Sequence, residues 1–476
     1  MQQQIPMDTT RRLAHYIANV QYDDIPPEHY EALKKNIVDI TGALVSGYNA
    51  DGIEQIFGLI EEWGGKEESR IIFRNKSCVG HWAAFINSAM GRGVDCEDNE
   101  ENGAHPTASM WPTVLACADK LGGISGKEML LGYALGRDIG ARVNFSNLDY
   151  HGFEPVNTAG VFATTAIACR LFGLTEEQTV SALGHAMNFA GGSFQSNIDG
   201  VLGVRVNQGM ASFSGMLAAE LAQAGVTGPY NAFEGVYGYY HLFANDQVAP
   251  NVLLDGLGEK FLGQCVNFKR WPSCAQTAAA TDIALEYVSE GIEPDDVDHV
   301  DIRLSPSGFN LVGKPFKLGK TPSVETQYSV RYCFSNVLTR KVPKLEQYTS
   351  AEGASDPRVI GFLDKISVSP DPSFNEMPVE VADDDPTAHI VRTRGRYYRC
   401  EIDLYTKDGT KHPKVVDYWK GHSRNPLSMD DIIEKYWDNI AYGAGILSKQ
   451  AAEEELEMIL HLETLDTSDK LIALLA

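Results

Sequence analysis

The sequence has no C-x-x-C pair, no unbroken apolar run long enough to cross a bilayer, and neither an H-E-x-x-H nor a G-x-S-x-G motif. Each absence removes a class of protein. Cys78, Cys96, Cys117, Cys169, Cys265, Cys274, Cys333 and Cys400 are scattered, which argues against a zinc ribbon or a ferredoxin-type iron–sulfur site and for reduced thiols in a cytoplasmic protein. The opening residues, MQQQIPMDTTRR, lack the apolar core of a secretory leader, so neither a membrane nor export is expected. Basic residues are scarce as well, 40 Lys+Arg against 64 Asp+Glu for a net charge of −24, and this excludes the clustered cations of a nucleic-acid surface. In so negative a field, any Lys or Arg facing an anionic substrate becomes informative.

What is present is a chain of 476 residues, long enough for two unequal domains. The first half is helical by period. PPEHYEALKKNIVDITGALVSG starts on Pro and carries Leu33, Ile37, Ile40 and Leu44 at spacings of three and four. SGKEMLLGYALGRDIGARV reads likewise, TAGVFATTAIACRLFGL is apolar nearly all round, and Thr175 with Gln178 forms a capping box. Ala, Gly and Ser are dense over 158–222, so the helices there can approach closely. After about residue 265 alternation takes over: VDHVDIRLS and KISVSPDPS read as strands, and TAHIVRTRGRYYRCEIDLYTKDGTKHPKVVDY as two strands joined at KDGT. SVETQYSVRYCFSNVLT between them is helical, and the tail returns to amphipathic helices, with Ser428 an N-cap. The expected fold is mostly α: a large all-α domain from residues 1–265 with 423–476 returning to it, and an inserted α+β lid over 266–422.

GFNLVGKP at 308–315 has phosphate-loop spacing up to Lys314, but Pro315 stands where a Ser or Thr hydroxyl belongs, and GAG at 443–445 lacks the rest of a dinucleotide fingerprint. The chemistry therefore falls to VDCEDNEENGAHPTASMWP, which places five carboxylates within 95–101 and then His105 between Gly103-Ala104 and Pro106-Thr107. A calcium loop starting at Asp95 would put Glu100 where Gly is required and Pro106 where the bidentate Glu is required, so no metal is expected. Glu100 and Glu101 read as the solvated middle of the loop, with Glu97 and Asp98 undecided, while His105 can present its ring at the start of the following helix.

This stretch resembles the (L/V)D-x-x-D…HP(S/T)…P-(A/T)-x-L-A-x-A pattern of the MmgE/PrpD family, and GVFATTAIACRLFGLTEEQTVSALGHAMNFAGG, NFKRWPSCAQTAAATDIAL and TQYSVRYCFSNVL follow in the family's order. The resemblance implies a helical domain with an α+β lid, an active site between them, a homodimer and no cofactor. It implies His105 as acid/base, Asp95 as its orienter or a second acid/base, Lys269 as the cation on a carboxylate or enolate-like intermediate, and Tyr332 as the hydroxyl of the lid helix. Arg205, Asn99, Asn207, Cys274 and His151 are expected to face the substrate. Two positions depart from the family. Glu154 stands in GFEP where relatives have His, and reads either as a catalytic base in place of that His or as a loop carboxylate away from the chemistry; Val204 stands in GVRVNQG where they often have Lys, so fewer substrate carboxylates should find a compensating donor. The expected activity is a cofactor-independent lyase acting on a small carboxylic acid by dehydration or decarboxylation. An isomerase, epimerase or cyclase using the same site, or a non-catalytic family member, is the alternative.

Overall fold

The computed structural model describes residues 5–101, 103–319, 321–383 and 385–476. Its principal helices are α1 (Pro27–Gly47), α2 (Gly80–Gly91), α3 (Thr107–Lys120), α4 (Gly126–Ser146), α5 (Gly160–Leu171), α6 (Glu176–Phe189) and α7 (Gly203–Gln223). They share one apolar core with the C-terminal α10 (Met429–Tyr442) and α11 (Lys449–Leu460), so both chain ends build the same body. Pro at the first position of α1 and capping boxes at α4 (Ser125 with Glu128), α6 (Thr175 with Gln178) and α10 (Ser428 with Asp431) fix the helix starts the sequence marks.

The small residues of 158–222 allow close packing of α5 on α7: a Cβ on Gly215 would lie 2.0 Å from Thr164 Oγ1. Gly47, at the end of α1, plays the same part against α2, where a Cβ would lie 2.0 Å from the Met90 carbonyl. That approach sets the position of the chain just after α2, from which the acidic loop departs.

A second apolar core runs from Cys274 to Trp419. It joins α8 (Ala275–Ser289) and α9 (Val330–Arg340) to a sheet of β1 (Val297–Leu304), β2 (Ile366–Pro370), β3 (Cys400–Thr406) and β4 (Lys411–Val416). The strand order is β2-β1-β3-β4, with β1 and β2 parallel and the other pairs antiparallel. The protein is thus mostly α. One reading changes: TAHIVRTR, expected in the first strand of the hairpin, forms the helix Ala388–Arg394, and extended backbone begins only at Cys400. The run Ile390-Val391 buries its side chains on one side of that helix, and three Arg within 392–396 interrupt the alternation a strand would need.

Candidate active site

The acidic residues of the loop 94–106 are buried rather than solvated. Glu97, Asp98, Glu100 and Glu101 are 0%, 1%, 1% and 7% exposed, which corrects the expectation for Glu100 and Glu101. A run of buried carboxylates requires partners. Glu100 accepts from Asn144 Nδ2 at 2.7 Å and faces Arg137 at 3.4 Å, and burial still pushes its carboxyl up to about 7. Glu101 faces His422 at 3.1 Å and Arg424 at 3.2 Å. Asp98 accepts from Asn36 Nδ2 at 2.8 Å and from the Thr107 hydroxyl. These three acids anchor the loop to the two bodies around it.

Asp95, Glu97 and His105 are left to meet Arg92 and Lys269. Lys269 is delivered by backbone pairing: Asn99 N donates to the Asn267 carbonyl at 2.9 Å and Asn267 N to the Asn99 carbonyl at 2.7 Å, which lays 267–269 beside the acidic loop. Lys269 Nζ then donates to Asp95 Oδ1 at 2.7 Å and to the Asp95 carbonyl at 3.1 Å. Arg92 forms an ion pair with the same Asp95 oxygen and approaches Glu97 Oε1 at 2.8 Å. Asp95 has φ of +54°, a left-handed conformation uncommon outside glycine and characteristic of constrained functional positions.

Burial alone would raise both carboxyls. Lys269 and Arg92 outweigh it at Asp95, and Arg92, Lys269 and His105 do so at Glu97, so both are held below the ordinary carboxylate range and are ionised at neutral pH.

The His105 ring is positioned from three sides. Its Nδ1 lies 3.0 Å from the Asp98 carbonyl and 2.8 Å from Glu97 Oε1, and both of those groups only accept. Nδ1 therefore carries the proton. The Glu97 carboxylate faces that proton and favours the tautomer that carries it on Nδ1. Nε2 lies 3.4 Å from Arg92 Nη2, a donor, which leaves it an unprotonated base. Gln208 of α7 donates to the His105 carbonyl at 2.9 Å and fixes the backbone there. Burial, then Arg92 and Lys269, lower the ring's pKa, with Glu97 opposing them.

A small cleft opens beside this cluster, lined by Arg92, Asp95 and Arg205, by Asn197, Val201, Leu202 and Val204 of the helical body, and by Val324, Gln327 and Tyr328 of the α+β unit. Gln327 joins the two sides, donating to the Val94 carbonyl at 2.6 Å and to the Pro272 carbonyl at 2.9 Å.

Of the residues expected here, Asp95 and Arg205 line the cleft, His105 contacts the lining residue Arg92, and Lys269 contacts Asp95. Arg205 donates to the Gly93 carbonyl at 2.7 Å and to the Asp51 carbonyl, which locks its guanidinium at the rim. Cys274 N donates to the Gln327 carbonyl at 3.0 Å, and burial pushes its thiol up to about 11. Glu154 is 3% exposed and accepts from Asn197 Nδ2 at 2.7 Å, with Asn207 packed near it across Gly192. Burial pushes Glu154 up to about 7 although Arg92 opposes the shift.

Three expected residues are placed elsewhere. Tyr332 points into the α+β unit, its hydroxyl donating to the Gln347 carbonyl at 2.6 Å, because α9 turns that face toward Tyr348 and Val359. His151 is exposed and pairs with Asp149 at 3.1 Å. Asn99 acts through its backbone, and its side chain donates to the Glu100 carbonyl at 3.2 Å. Conversely, sequence reasoning missed Arg92, Tyr328 and Asn197, and left Glu97 open. Arg92 in GRGVD and Tyr328 in TQYS stood beside residues already singled out, so proximity to the motif was the available signal.

Asp95, Glu97 and His105 offer ligand atoms within 4.8 Å of one another, a spacing that could hold a metal ion. Two of those atoms, Asp95 Oδ1 and Glu97 Oε1, already face Lys269 and Arg92, whose charges balance the carboxylates. The donor set fits protonated nitrogen better than a dication.

A mostly helical body carrying an α+β unit, with acid/base groups buried at their junction, defines the class of protein before any name does. The model of the MmgE/PrpD N-terminal domain matches residues 11–251, and that of the MmgE/PrpD C-terminal domain matches residues 271–464. The chain belongs to the MmgE/PrpD family. Cis-aconitate decarboxylase of Homo sapiens is 25% identical over 409 residues, covering 83% of this chain and 79% of that protein. Cis-aconitate decarboxylase of Aspergillus terreus is 23% identical over 495 residues, covering 98% and 95%. The 2-methylcitrate dehydratase-like protein oryR of Aspergillus oryzae is 25% identical over 165 residues, covering 34% and 30%. These relatives carry the names of decarboxylases and of a dehydratase-like protein.

Proposed function

We propose that the protein is a cofactor-independent lyase that removes carbon dioxide or water from a small carboxylic acid bound in the cleft, with residues 266–422 as its lid. The observation that carries this reading is the His105 ring, its Nδ1 proton turned to Glu97 and Asp98 and its Nε2 basic beside two buried cations. In dehydration, His105 Nε2 takes the proton α to a carboxylate, the C–H electron pair moves toward that carboxylate as an enolate-like intermediate, and the hydroxyl of the neighbouring carbon leaves as water with the proton that His105 has taken. In decarboxylation, His105 Nε2 first takes a proton from solvent, the C–C pair stays on the substrate as carbon dioxide departs, and that proton passes from Nε2 to the carbon, which leaves the ring neutral again. Lys269 and Arg92 stabilise the developing negative charge in a site where little water screens them.

The relatives' names support a carboxylic acid as substrate, and an isomerase using the same proton chemistry is the second reading, since nothing in His105 itself requires a leaving group. Reaction in deuterated water separates the two: label washed into a product of unchanged composition marks the isomerase, and loss of carbon dioxide or water marks the lyase.

A homodimer is supported by the apolar surface of Tyr230, Val236 and Tyr237, which are 65%, 80% and 74% exposed, and sedimentation of the purified protein tests it. All eight cysteines are free, as suits a cytoplasmic setting, and among the described residues no helix is long and apolar enough to cross a membrane.

A further inference from the structure

The cleft lining is mixed. Beside the charged cluster it presents four apolar side chains, Val201, Leu202, Val204 and Val324, with Val204 next in the chain to Arg205. Val201 and Leu202 are 47% and 36% exposed, apolar surface turned to water.

Charge in the cluster can be counted. Arg92, Lys269 and Arg205 are cations, and Asp95 and Glu97 are their buried anions, which leaves one positive charge in excess. Asp51 sits near Arg205, but its carboxylate is exposed and screened by solvent, and Asp98 is turned away to Asn36 and Thr107. Burial, Arg92 and Lys269 lower the His105 pKa, which favours the neutral ring, and burial raises that of Glu154 to about 7, so Glu154 beside Asn197 carries only part of a charge near neutral pH. One donor also stands free, since Arg92 Nε is buried and has no hydrogen-bond partner.

A ligand with several ionised carboxylates would leave all but one of them buried without a counter-charge, which disfavours its binding. We propose that the cleft selects a small acid with one ionised carboxylate and an otherwise apolar body: the carboxylate lies between Arg92 and Arg205, and the alkyl part on Val201, Leu202, Val204 and Val324. Val204 is then a specificity-determining residue, because a cation at that point of the wall would admit a second carboxylate. This substrate class rests on the lyase reading of the same site, and its test uses unreactive acids so that the two stand or fall separately.

The experiment is calorimetric titration of the wild-type protein, Val204→Lys and Val204→Met with 2-methylbutanoate, which has one carboxylate, and with propane-1,2,3-tricarboxylate, which has three. The wild type is expected to bind the monocarboxylate at least about tenfold more tightly, a difference of ~1.4 kcal/mol. Val204→Lys should reverse or abolish that preference, and Val204→Met, which fills the same space without charge, should retain it. Tighter binding of the tricarboxylate by the wild type, binding of neither acid, or an unchanged order in Val204→Lys overturns the proposal. If the monocarboxylate preference holds while no carboxylic acid is turned over, the lyase reading fails and the binding assignment stands.

Discussion

Glu97 Oε1 lies 2.8 Å from His105 Nδ1, whereas Asp95, the acid at the head of the same motif, binds Lys269 at 2.7 Å. The two carboxylates therefore divide the work: Glu97 orients the base, and Asp95 holds the cation. Glu97→Gln keeps the shape and removes the charge. Turnover should fall about 10- to 100-fold with little change in KM, the usual effect of removing a group that orients another. The acidic limb of the pH–rate profile should also move down, because Glu97 raises the His105 pKa and the other neighbours lower it. A steady-state pH profile of the variant checks both.

The Lys269 charge acts on the same ring in the opposite sense to Glu97. His105 serves as base only when neutral, and burial, Arg92 and Lys269 hold its pKa below 6.5, so kcat/KM should stay level as pH falls to about 6.5 and decline only below it. Lys269→Met removes one of the opposing charges and should shift that decline to higher pH while lowering the rate. It also leaves Asp95 with Arg92 alone, and loss of one partner from a buried ion pair costs about 3–5 kcal/mol, visible as a lower denaturation midpoint.

Tyr328 and Tyr332 should behave differently. Tyr328 lines the cleft, and Tyr328→Phe should reduce turnover at least about tenfold in a protein of normal stability. The Tyr332 hydroxyl donates to the Gln347 and Gly353 carbonyls inside the α+β unit, so Tyr332→Phe should cost about 1–2 kcal/mol of stability and leave kcat unchanged. Parallel assays of rate and chemical denaturation separate the pair.

Glu154 makes a prediction about stability alone. Its carboxyl is raised from 4.5 to about 7 in the folded protein, so between those values the folded state holds a proton that the unfolded chain has lost. Stability contributed by this group therefore falls as pH rises through that window, by up to ~3 kcal/mol. Glu154→Gln should be more stable than the wild type at about pH 8 and nearly equal to it at about pH 4.5, as urea denaturation at the two values would record.

Helices α1, α4, α6 and α10 were legible because period, capping residues and terminal Pro agree in the sequence, and the switch to alternation near residue 265 marked the second core. His105, Lys269 and Asp95 were reached through motif resemblance, and the structure puts all three in one cluster. The buried state of Glu100 and Glu101 was not legible. Charge runs are usually solvated, and the partners that make this one an exception, Arg137, Asn144, His422 and Arg424, lie 37 to 323 residues away in the chain. Tyr328 was missed for a local reason. It and Tyr332 stand four apart in one segment, but Tyr328 lies at the end of the short helix Pro322–Gln327 and faces the cleft, whereas α9 turns Tyr332 inward.

The central claim is that this cleft removes carbon dioxide or water from a small carboxylic acid with His105 moving the proton. The most direct measurement incubates the wild-type protein and the His105→Ala variant with a panel of small carboxylic acids and weighs the products. The account predicts that one acid loses the mass of carbon dioxide or of water with the wild type and remains unchanged with a folded His105→Ala variant. Turnover that survives in His105→Ala, or a wild-type product of unchanged composition, would contradict it.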